Sequence, residues 1–241
     1  MRADEWLVAQ GMVSNRSRAK DLVRRQAVLL NGEPIRKAGH QILEGQTLEL
    51  AEQDRYVGRG AHKLIAALDA FKLNVEGRIA VDLGASTGGF TQVLLERGVA
   101  RVYAIDVGHG QLADSLQNHP QVVNMEGVNA RNALELPEAT NLVVGDLSFI
   151  SLRLVWQTIF QQIGPEGDGV LLVKPQFEVG PGGVNQRGVV KHLRDAESAV
   201  SQLLAWGETQ GLYAWGKVPS PLEGKKGNQE YLVHFRQQVR P

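Results

Sequence analysis

Residues 81–90 read VDLGASTGGF, an apolar run that meets an aspartate and then breaks into glycine and hydroxyl positions. A strand ending in such a turn is typical of the edge where an open α/β sheet binds a ligand, because glycines let the backbone approach it closely. Further short apolar segments follow up to residue 235, most of them separated by stretches with helical spacing. This alternation predicts a mostly parallel, doubly wound Rossmann-like sheet. The last two segments follow each other without a helix, which predicts an antiparallel hairpin at the sheet edge.

The composition is that of a soluble globular protein. The chain has 241 residues, of which 43% are hydrophobic, 26 basic and 26 acidic. It has no cysteine, which excludes disulfides, thiolate metal ligands and cysteine nucleophiles. The six histidines show no paired metal spacing, so we expect no metal. No apolar run reaches the ~18 residues of a membrane helix, and the start lacks a signal-peptide core, so we expect a cytoplasmic protein without a membrane partner.

The first third of the chain is basic. Two short helices are predicted there, joined at Gly11, and Asn31-Gly32 predicts a β-hairpin turn after them. The pattern resembles an S4 RNA-binding domain, carried by SRAKDL at 17–22 and VLLNG at 28–32. This resemblance implies contacts to RNA backbone and shape, whereas a solvated helix surface is the alternative reading of the charges. The residues expected to contact RNA are Arg16, Arg18, Lys20, Arg24, Arg25, Arg36 and Lys37.

A polar connector separates this module from the predicted sheet. It covers residues 51–59 and ends in glycines. We place an S4-like domain at 1–52, a linker at 53–60 and the α/β domain at 61–241. The α/β domain is predicted to begin with an amphipathic helix that carries Lys63 near its start.

The glycine spacing of the opening stretch indicates the cofactor. Gly84, Gly88 and Gly89 give G-x-x-x-G-G and not the G-x-G-x-x-G of dinucleotide sites. Asp82 would repel a pyrophosphate but suits a ligand with a positive end, such as S-adenosylmethionine. A second acid, Asp106, ends the next predicted strand and is placed to accept from ribose hydroxyls. A tight turn without a ligand is the alternative. The residues expected to hold the cofactor are Asp82, Gly84, Ser86, Gly88, Gly89, Phe90 and Asp106.

The methyl acceptor is indicated by amines and carboxylates near the predicted strand ends. Residues 146–149 read DLSF and lack the proline pair common in enzymes that methylate exocyclic amines, and cytosine C5 chemistry needs a cysteine. A ribose 2′-OH is a very weak acid, so a base must take its proton as the oxygen attacks. A lysine acts as base only when neutral, which burial and a neighbouring ammonium favour. We expect Lys174 as the base, Lys63 to steer the hydroxyl, and Asp146 and Glu230 to hold the two amines. Ordinary surface charges are the alternative for Lys63 and Glu230.

These residues carry a family resemblance. The order Lys63, Asp146, Lys174, Glu230 is similar to the K-D-K-E tetrad of FtsJ-related ribose 2′-O-methyltransferases. GRGAHKL at 58–64, DLGASTGGFT at 82–91, GDLSFISL at 145–152 and VKPQFEVG at 173–180 resemble motifs of the TlyA family, in which an S4 domain precedes such a catalytic domain. The resemblance implies methylation of cytidine 2′-OH groups in ribosomal RNA, with ribosomal RNA or ribosomal subunits as the partner.

Two other functions are considered. The family has also carried the label haemolysin, and a membrane-active protein is disfavoured here by the missing signal and apolar segments. A non-catalytic ribosome assembly factor would bind rRNA without needing the tetrad. A glycine-rich segment at 177–191, with Arg187, is predicted to be either a lid that closes over RNA or an ordinary surface loop.

Overall fold

The computed structural model describes residues 1–13, 15–51, 55–180, 182–224 and 226–239. The N-terminal part is a small α+β unit whose three-stranded antiparallel sheet has the order β2-β1-β3. Its core is a cluster of apolar side chains that includes Leu7, Leu22 and Val28. The elements are α1 (Ala3–Ala9), α2 (Arg16–Arg24), β1 (Val28–Leu30), β2 (Glu33–Pro34) and β3 (Leu48–Leu50). The predicted linker at 53–60 lies partly outside the described residues, which resume at 55.

The predicted Asn-Gly hairpin is confirmed. Leu30 pairs with Glu33 across a two-residue turn. Asn31 has φ 53° and Gly32 has φ 81°, so both central residues are in the left-handed region that a type I′ turn requires. Asparagine and glycine tolerate this conformation better than other residues, which explains why the pair occurs here.

The second part is a seven-stranded sheet flanked by helices on both faces, as predicted. The strand order is β6-β5-β4-β7-β8-β10-β9. β10 runs antiparallel to both of its neighbours, β8 and β9, and the other neighbouring strands are parallel to each other. The elements are α3 (Ala61–Phe71), β4 (Ile79–Leu83), α4 (Gly89–Glu96), β5 (Arg101–Asp106), α5 (Asp114–Gln117), β6 (Val122–Glu126), β7 (Leu142–Gly145), a 3-10 helix (Leu152–Val155), α6 (Trp156–Ile163), β8 (Asp168–Val173), α7 (Pro175–Glu178), α8 (Leu193–Thr209), β9 (Tyr213–Pro219) and β10 (Tyr231–Arg236).

The strands are apolar on both faces because each face is covered. On one face, α6 and α8 pack through residues such as Ile159 and Leu203. On the other, α3 and α4 pack through Leu64 and Leu94. Burying a leucine side chain stabilises the folded state by about 1.5–3 kcal/mol, so these two layers hold the central strands in place. The direction of strand order reverses between β4 and β7, and their carboxyl ends define the crevice in which such sheets bind ligands.

The segment predicted as a loop at 177–191 is partly structured. Its start belongs to α7, where Pro175 occupies the first helical turn, a position that suits its fixed φ. Val184 and Val190 form an antiparallel bridge, and the Asn185 side chain accepts hydrogen bonds from the backbone N–H groups of Arg187 and Val189. Local side-chain hydrogen bonds therefore order this turn, and its role as a lid over RNA or as an ordinary surface loop stays a prediction.

Candidate active site

A cavity of about 510 Å³ opens at the carboxyl ends of β4, β7 and β8. Its wall comes from five stretches of chain, which lie within 58–63, 84–90, 146–149, 174–188 and 222–230. The volume is in the range of small-molecule sites. The crevice predicted at the switch point of the sheet is therefore present and is open.

The four residues of the predicted tetrad meet in this cavity. Nζ of Lys63 lies 3.3 Å from Oδ2 of Asp146 and 2.9 Å from Oε2 of Glu230. Nζ of Lys174 lies 2.6 Å from Oδ1 of Asp146. The side chains of Lys63, Lys174 and Glu230 are 11%, 8% and 3% exposed, and that of Asp146 is 23% exposed. They are therefore neither surface lysines nor edge-strand charges, which were the alternative readings.

The two lysines differ in their surroundings. Lys63 contacts two carboxylates, those of Asp146 and Glu230. Lys174 contacts the carboxylate of Asp146 and donates a hydrogen bond of 2.6 Å to the neutral Ser148 Oγ. Lys63 is therefore held by two carboxylates, whereas Lys174 is held by one carboxylate and one hydroxyl.

Three residues that the sequence reasoning did not single out also line the cavity. Ser148 and Gln176 bind members of the tetrad, since the Gln176 amide Nε2 donates to Glu230 Oε1 at 2.9 Å. Phe149 is 89% exposed, has a φ of 64° and lies 5.6 Å from the ring of Phe177, centroid to centroid. All three lie within the quoted motifs, but a motif does not tell which polar atoms meet across two loops.

The glycines of the opening stretch have packing reasons within the protein. A Cβ on Gly88, whose φ is 95°, would collide with the Leu116 side chain, and Gly88 does not line the cavity. A Cβ on Gly89 would lie 3.0 Å from the Gly58 carbonyl oxygen. Gly84 has φ 81°, and a Cβ there would lie 3.2 Å from the Asp146 carbonyl oxygen. The backbone at 84–87, together with Gly89 and Phe90, nevertheless forms one side of the cavity.

The two predicted cofactor acids lie behind this loop and not in the cavity wall. Asp82 is 1% exposed, and its Oδ2 accepts a hydrogen bond of 2.7 Å from Thr91 Oγ1. Burial raises the pKa of Asp82 to about 7, because the charged form loses its hydration. Asp106 accepts hydrogen bonds from the backbone N–H groups of Ser86 and Gly108, each at 2.8 Å. Both acids therefore support the loops in this structure, and their contact with a cofactor stays a prediction.

The basic residues of the N-terminal domain are partly neutralised. Arg16 lies 2.9 Å from the buried carboxylate of Asp4 and 3.2 Å from Glu5. Asp21 is surrounded by three of the other arginines, Arg18, Arg24 and Arg25, at 3.6, 2.5 and 3.9 Å. Lys20, Arg36 and Lys37 are exposed. The predicted basic surface is therefore weaker than the sequence count suggests, and its contact with RNA stays a prediction.

Two properties of the described residues bear on other classes of protein. Within the described part of the chain, no helix is both long and apolar enough to cross a membrane. Over the same ranges there is no group of three or more histidine, aspartate or glutamate side chains placed to hold a metal ion.

Comparison with known proteins identifies the family of this chain. The FtsJ-like methyltransferase model matches residues 56–237, and the S4 domain model matches residues 1–48. The 16S/23S rRNA (cytidine-2′-O)-methyltransferase TlyA of Mycobacterium tuberculosis is 43% identical over 99% of this chain and 90% of its own length. Hemolysin A of Brachyspira hyodysenteriae is 36% identical over 98% and 99% of the two chains.

A solved structure matches the fold of this chain over its full length. A protein of Streptococcus thermophilus, provisionally named a hemolysin, is 37% identical, has a TM-score of 0.76, and matches 100% of this chain and 90% of its own. Since the family models cover both parts of the chain and the relatives match nearly its full length, the chain belongs to the TlyA family of methyltransferases, with an S4 domain before an FtsJ-like catalytic domain.

Proposed function

We propose that the protein transfers a methyl group from S-adenosylmethionine to a cytidine 2′-OH in ribosomal RNA, with Lys174 as the general base. The observation that carries the proposal is the pair of lysines held by the single carboxylate of Asp146 in the cavity. The relative from Mycobacterium tuberculosis, which is named as a cytidine-2′-O-methyltransferase of 16S and 23S rRNA, supports the same substrate.

The cavity fits the cofactor. Its volume of about 510 Å³ is in the range of small-molecule sites, and the backbone at 84–87 lines one side of it. We propose that Gly84, Ser86, Gly89 and Phe90 hold the cofactor, with Asp106 behind them. When bound, S-adenosylmethionine supplies the methyl group and a sulfonium that leaves as a neutral thioether.

The tetrad then provides proton transfer and positioning. Lys174, in its neutral form, takes the proton of the 2′-OH as the oxygen forms its bond to the methyl carbon. Ser148 and Asp146 hold the Lys174 amine in one place, and the Lys63 amine lies between two carboxylates. A lysine ammonium near the attacking oxygen stabilises the negative charge that develops there. General-base catalysis of this kind contributes about 10²–10⁴-fold to the rate.

The shape of the cavity mouth favours a nucleotide. The tetrad is mostly buried in the cavity, so a nucleotide must be splayed out of an RNA helix to reach it, and enzymes commonly stack such a base on an aromatic ring. Phe149 offers an exposed ring beside Phe177 for this purpose. Lys20, Arg36 and Lys37 on the S4 domain would bind phosphates of the surrounding RNA. An enzyme with this substrate works in the cytoplasm, where ribosomes are assembled.

The test is transfer of a labelled methyl group to isolated ribosomal subunits, followed by digestion to nucleosides. The proposal predicts label in 2′-O-methylcytidine. Label in a methylated base, or in another nucleoside, would overturn it. The assembly-factor hypothesis predicts rRNA binding without label, and the haemolysin hypothesis predicts lysis that survives replacement of Lys174.

A further inference from the structure

Glu178 joins the two chain segments that carry Lys174 and Ser148. It is the last residue of α7, four positions after Lys174. Its Oε2 accepts a hydrogen bond of 2.7 Å from Ser151 Oγ, and its Oε1 accepts one of 2.8 Å from the backbone N–H of Leu152. Both donors lie at the start of the 3-10 helix that follows β7, and the first N–H groups of a helix have no partner within it. The Glu178 carboxylate therefore binds the end of the loop that leads from β7 to this helix.

Two further contacts connect the same two segments in the same order. Nζ of Lys174 donates to Ser148 Oγ at 2.6 Å, and the rings of Phe177 and Phe149 lie 5.6 Å apart, centroid to centroid. Along α7 these two contacts come first, and that of Glu178 comes last. The contacts and the two segments form a closed ring, with the amine of the proposed base at one end and the Glu178 carboxylate at the other.

The loop between these contacts contains a conformation that its residues do not favour by themselves. Phe149 has a φ of 64°, in the left-handed region that aromatic residues rarely adopt, and its side chain is 89% exposed. Such a conformation persists where the surrounding structure holds it. On one side of Phe149 the loop is held by the bond from Lys174 to Ser148, and on the other side by Glu178. Without the Glu178 carboxylate we expect the loop to relax and Ser148 to leave the Lys174 amine.

We propose that Glu178 is a positioning residue for methyl transfer, which keeps the Ser148 hydroxyl on the amine of Lys174. The inference rests on the proposed function, because that function assigns Lys174 as the base. Glu178 does not line the cavity, so it would touch neither the cofactor nor the target ribose. It acts on the reaction through Ser148, whose hydroxyl fixes the place of the Lys174 nitrogen. A general base contributes to the rate only within hydrogen-bond reach of the proton that it takes.

The first experiment compares Glu178→Ala with Glu178→Gln in single-turnover methyl transfer, with ribosomal subunits and S-adenosylmethionine both saturating. The alanine removes both hydrogen bonds, so we expect the rate to fall by about 10- to 100-fold. The glutamine has the same length, and its amide can accept from the Leu152 N–H and donate to Ser151 Oγ, so it should retain most of the wild-type rate. Glu138→Ala, which removes a carboxylate bound to Arg101 outside the cavity wall, is the matched control and should keep the wild-type rate.

A double-mutant cycle tests whether Glu178 acts through Ser148. Ser148→Ala removes the hydroxyl, so the Lys174 amine loses this contact whether or not the loop is held. We expect Ser148→Ala to be slow, and the addition of Glu178→Ala to lower its rate by no more than about twofold further. A general loosening of the fold would instead multiply the two effects, and that result would overturn the inference. A wild-type rate for Ser148→Ala would overturn it as well.

Ser151→Ala provides a milder test from the other side of the contact, for the case in which Glu178→Ala does not fold. It removes one of the two hydrogen bonds to Glu178 and keeps the one from the Leu152 N–H. The single-turnover rate should fall by about 2- to 10-fold, which corresponds to the loss of one hydrogen bond, while the affinity for S-adenosylmethionine stays unchanged. A folded Ser151→Ala protein with the wild-type rate would overturn the inference.

The outcomes separate this inference from the proposed function. If the wild type forms no 2′-O-methylcytidine, the proposed function fails first. If it does, and Glu178→Ala has the wild-type rate, only the role of Glu178 is overturned. Equally slow transfer by Glu178→Gln and Glu178→Ala would also overturn the inference, because glutamine can make both hydrogen bonds.

Discussion

Lys63 and Lys174 bind opposite oxygens of one carboxylate, that of Asp146, at 3.3 and 2.6 Å. The three residues come from α3, from the end of β7 and from the end of β8, and are brought together by the parallel register of the sheet. Because the two lysines share the carboxylate of Asp146, a change in charge at one lysine changes the electrostatic environment of the other. Glu230, bound only to Lys63 of the pair, makes the arrangement asymmetric, because the second partner of Lys174 is the Ser148 hydroxyl.

Asp146→Asn tests the shared carboxylate. A neutral amide cannot balance two ammonium groups, so Lys63 and Lys174 should repel each other and lose their positions. We expect kcat to fall by at least about 10²-fold, while S-adenosylmethionine affinity changes much less. Single-turnover methyl transfer and cofactor titration measure the two effects. Asp69→Asn, which removes an exposed ion pair with Arg97, is the control and should retain activity. An Asp146→Asn enzyme with the wild-type rate would show that the shared carboxylate has no role.

Phe149→Ala tests the aromatic ring at the mouth of the cavity. The side chain is 89% exposed, so its loss should change the free energy of unfolding by no more than about 0.5 kcal/mol. Stacking of a base on an aromatic ring contributes about 1–3 kcal/mol, so methylation of rRNA should fall by about 5- to 150-fold in kcat/KM. Urea unfolding and methyl-transfer kinetics on the same sample check both statements. Wild-type kinetics for Phe149→Leu would argue against stacking, because leucine has no π-face.

The S4 domain gives a prediction that separates binding residues from structural ones. Replacing Lys20, Arg36 and Lys37 with glutamine should weaken rRNA binding and reduce its dependence on salt by roughly one unit of slope for each lost phosphate contact. Arg16→Gln should instead lower stability, because the carboxylate of Asp4 is fully buried and is held by Arg16 and Arg2. Thermal unfolding distinguishes the two sets. A stable Arg16→Gln protein with weakened RNA binding would contradict this division.

Asp82 gives a prediction for the dependence of stability on pH. Its pKa is raised from 3.8 to about 7 by burial. Between these values the unfolded chain has released the proton and the folded chain keeps it, so the free energy of unfolding falls as pH rises through this window. The total fall from this group is roughly 4 kcal/mol. In Asp82→Asn this titration is absent, so the stability of the variant relative to wild type should increase between pH 4.5 and pH 8. Parallel curves for the two proteins would show that Asp82 does not titrate in this range.

Much of the fold follows from local patterns. The central strands β4, β7 and β8 are mostly apolar because helices cover both faces, and the Asn31-Gly32 turn requires two residues that accept positive φ. The order Lys63, Asp146, Lys174, Glu230 could also be read from the chain, because the carboxyl ends of β7 and β8 and the start of the antiparallel β10 lie at one edge of the sheet. These features depend on residue type and on the local backbone geometry that residue type favours, so they can be predicted from the sequence.

Other features depend on which side chains meet after folding. The sequence predicts that the basic residues of α2 contact RNA, but Asp21 and the distant Asp4 and Glu5 bind most of its arginines. Gly88 was expected to make room for a cofactor, yet it makes room for Leu116 of α5. The bonds from Ser148 to Lys174 and from Gln176 to Glu230 join separate loops, and their distances are set by tertiary packing.

The most direct test of the account is the single-turnover rate of methyl transfer to ribosomal subunits by Lys174→Arg and Lys63→Arg. An arginine keeps the positive charge but does not give up its proton, so it cannot act as a base. We expect the rate of methyl transfer by Lys174→Arg to fall by at least about 10²-fold. The rate of Lys63→Arg should fall much less, because this variant keeps a cation between Asp146 and Glu230. Cofactor binding should persist in both. A Lys174→Arg enzyme that forms 2′-O-methylcytidine at the wild-type rate would contradict the assignment of Lys174 as the base.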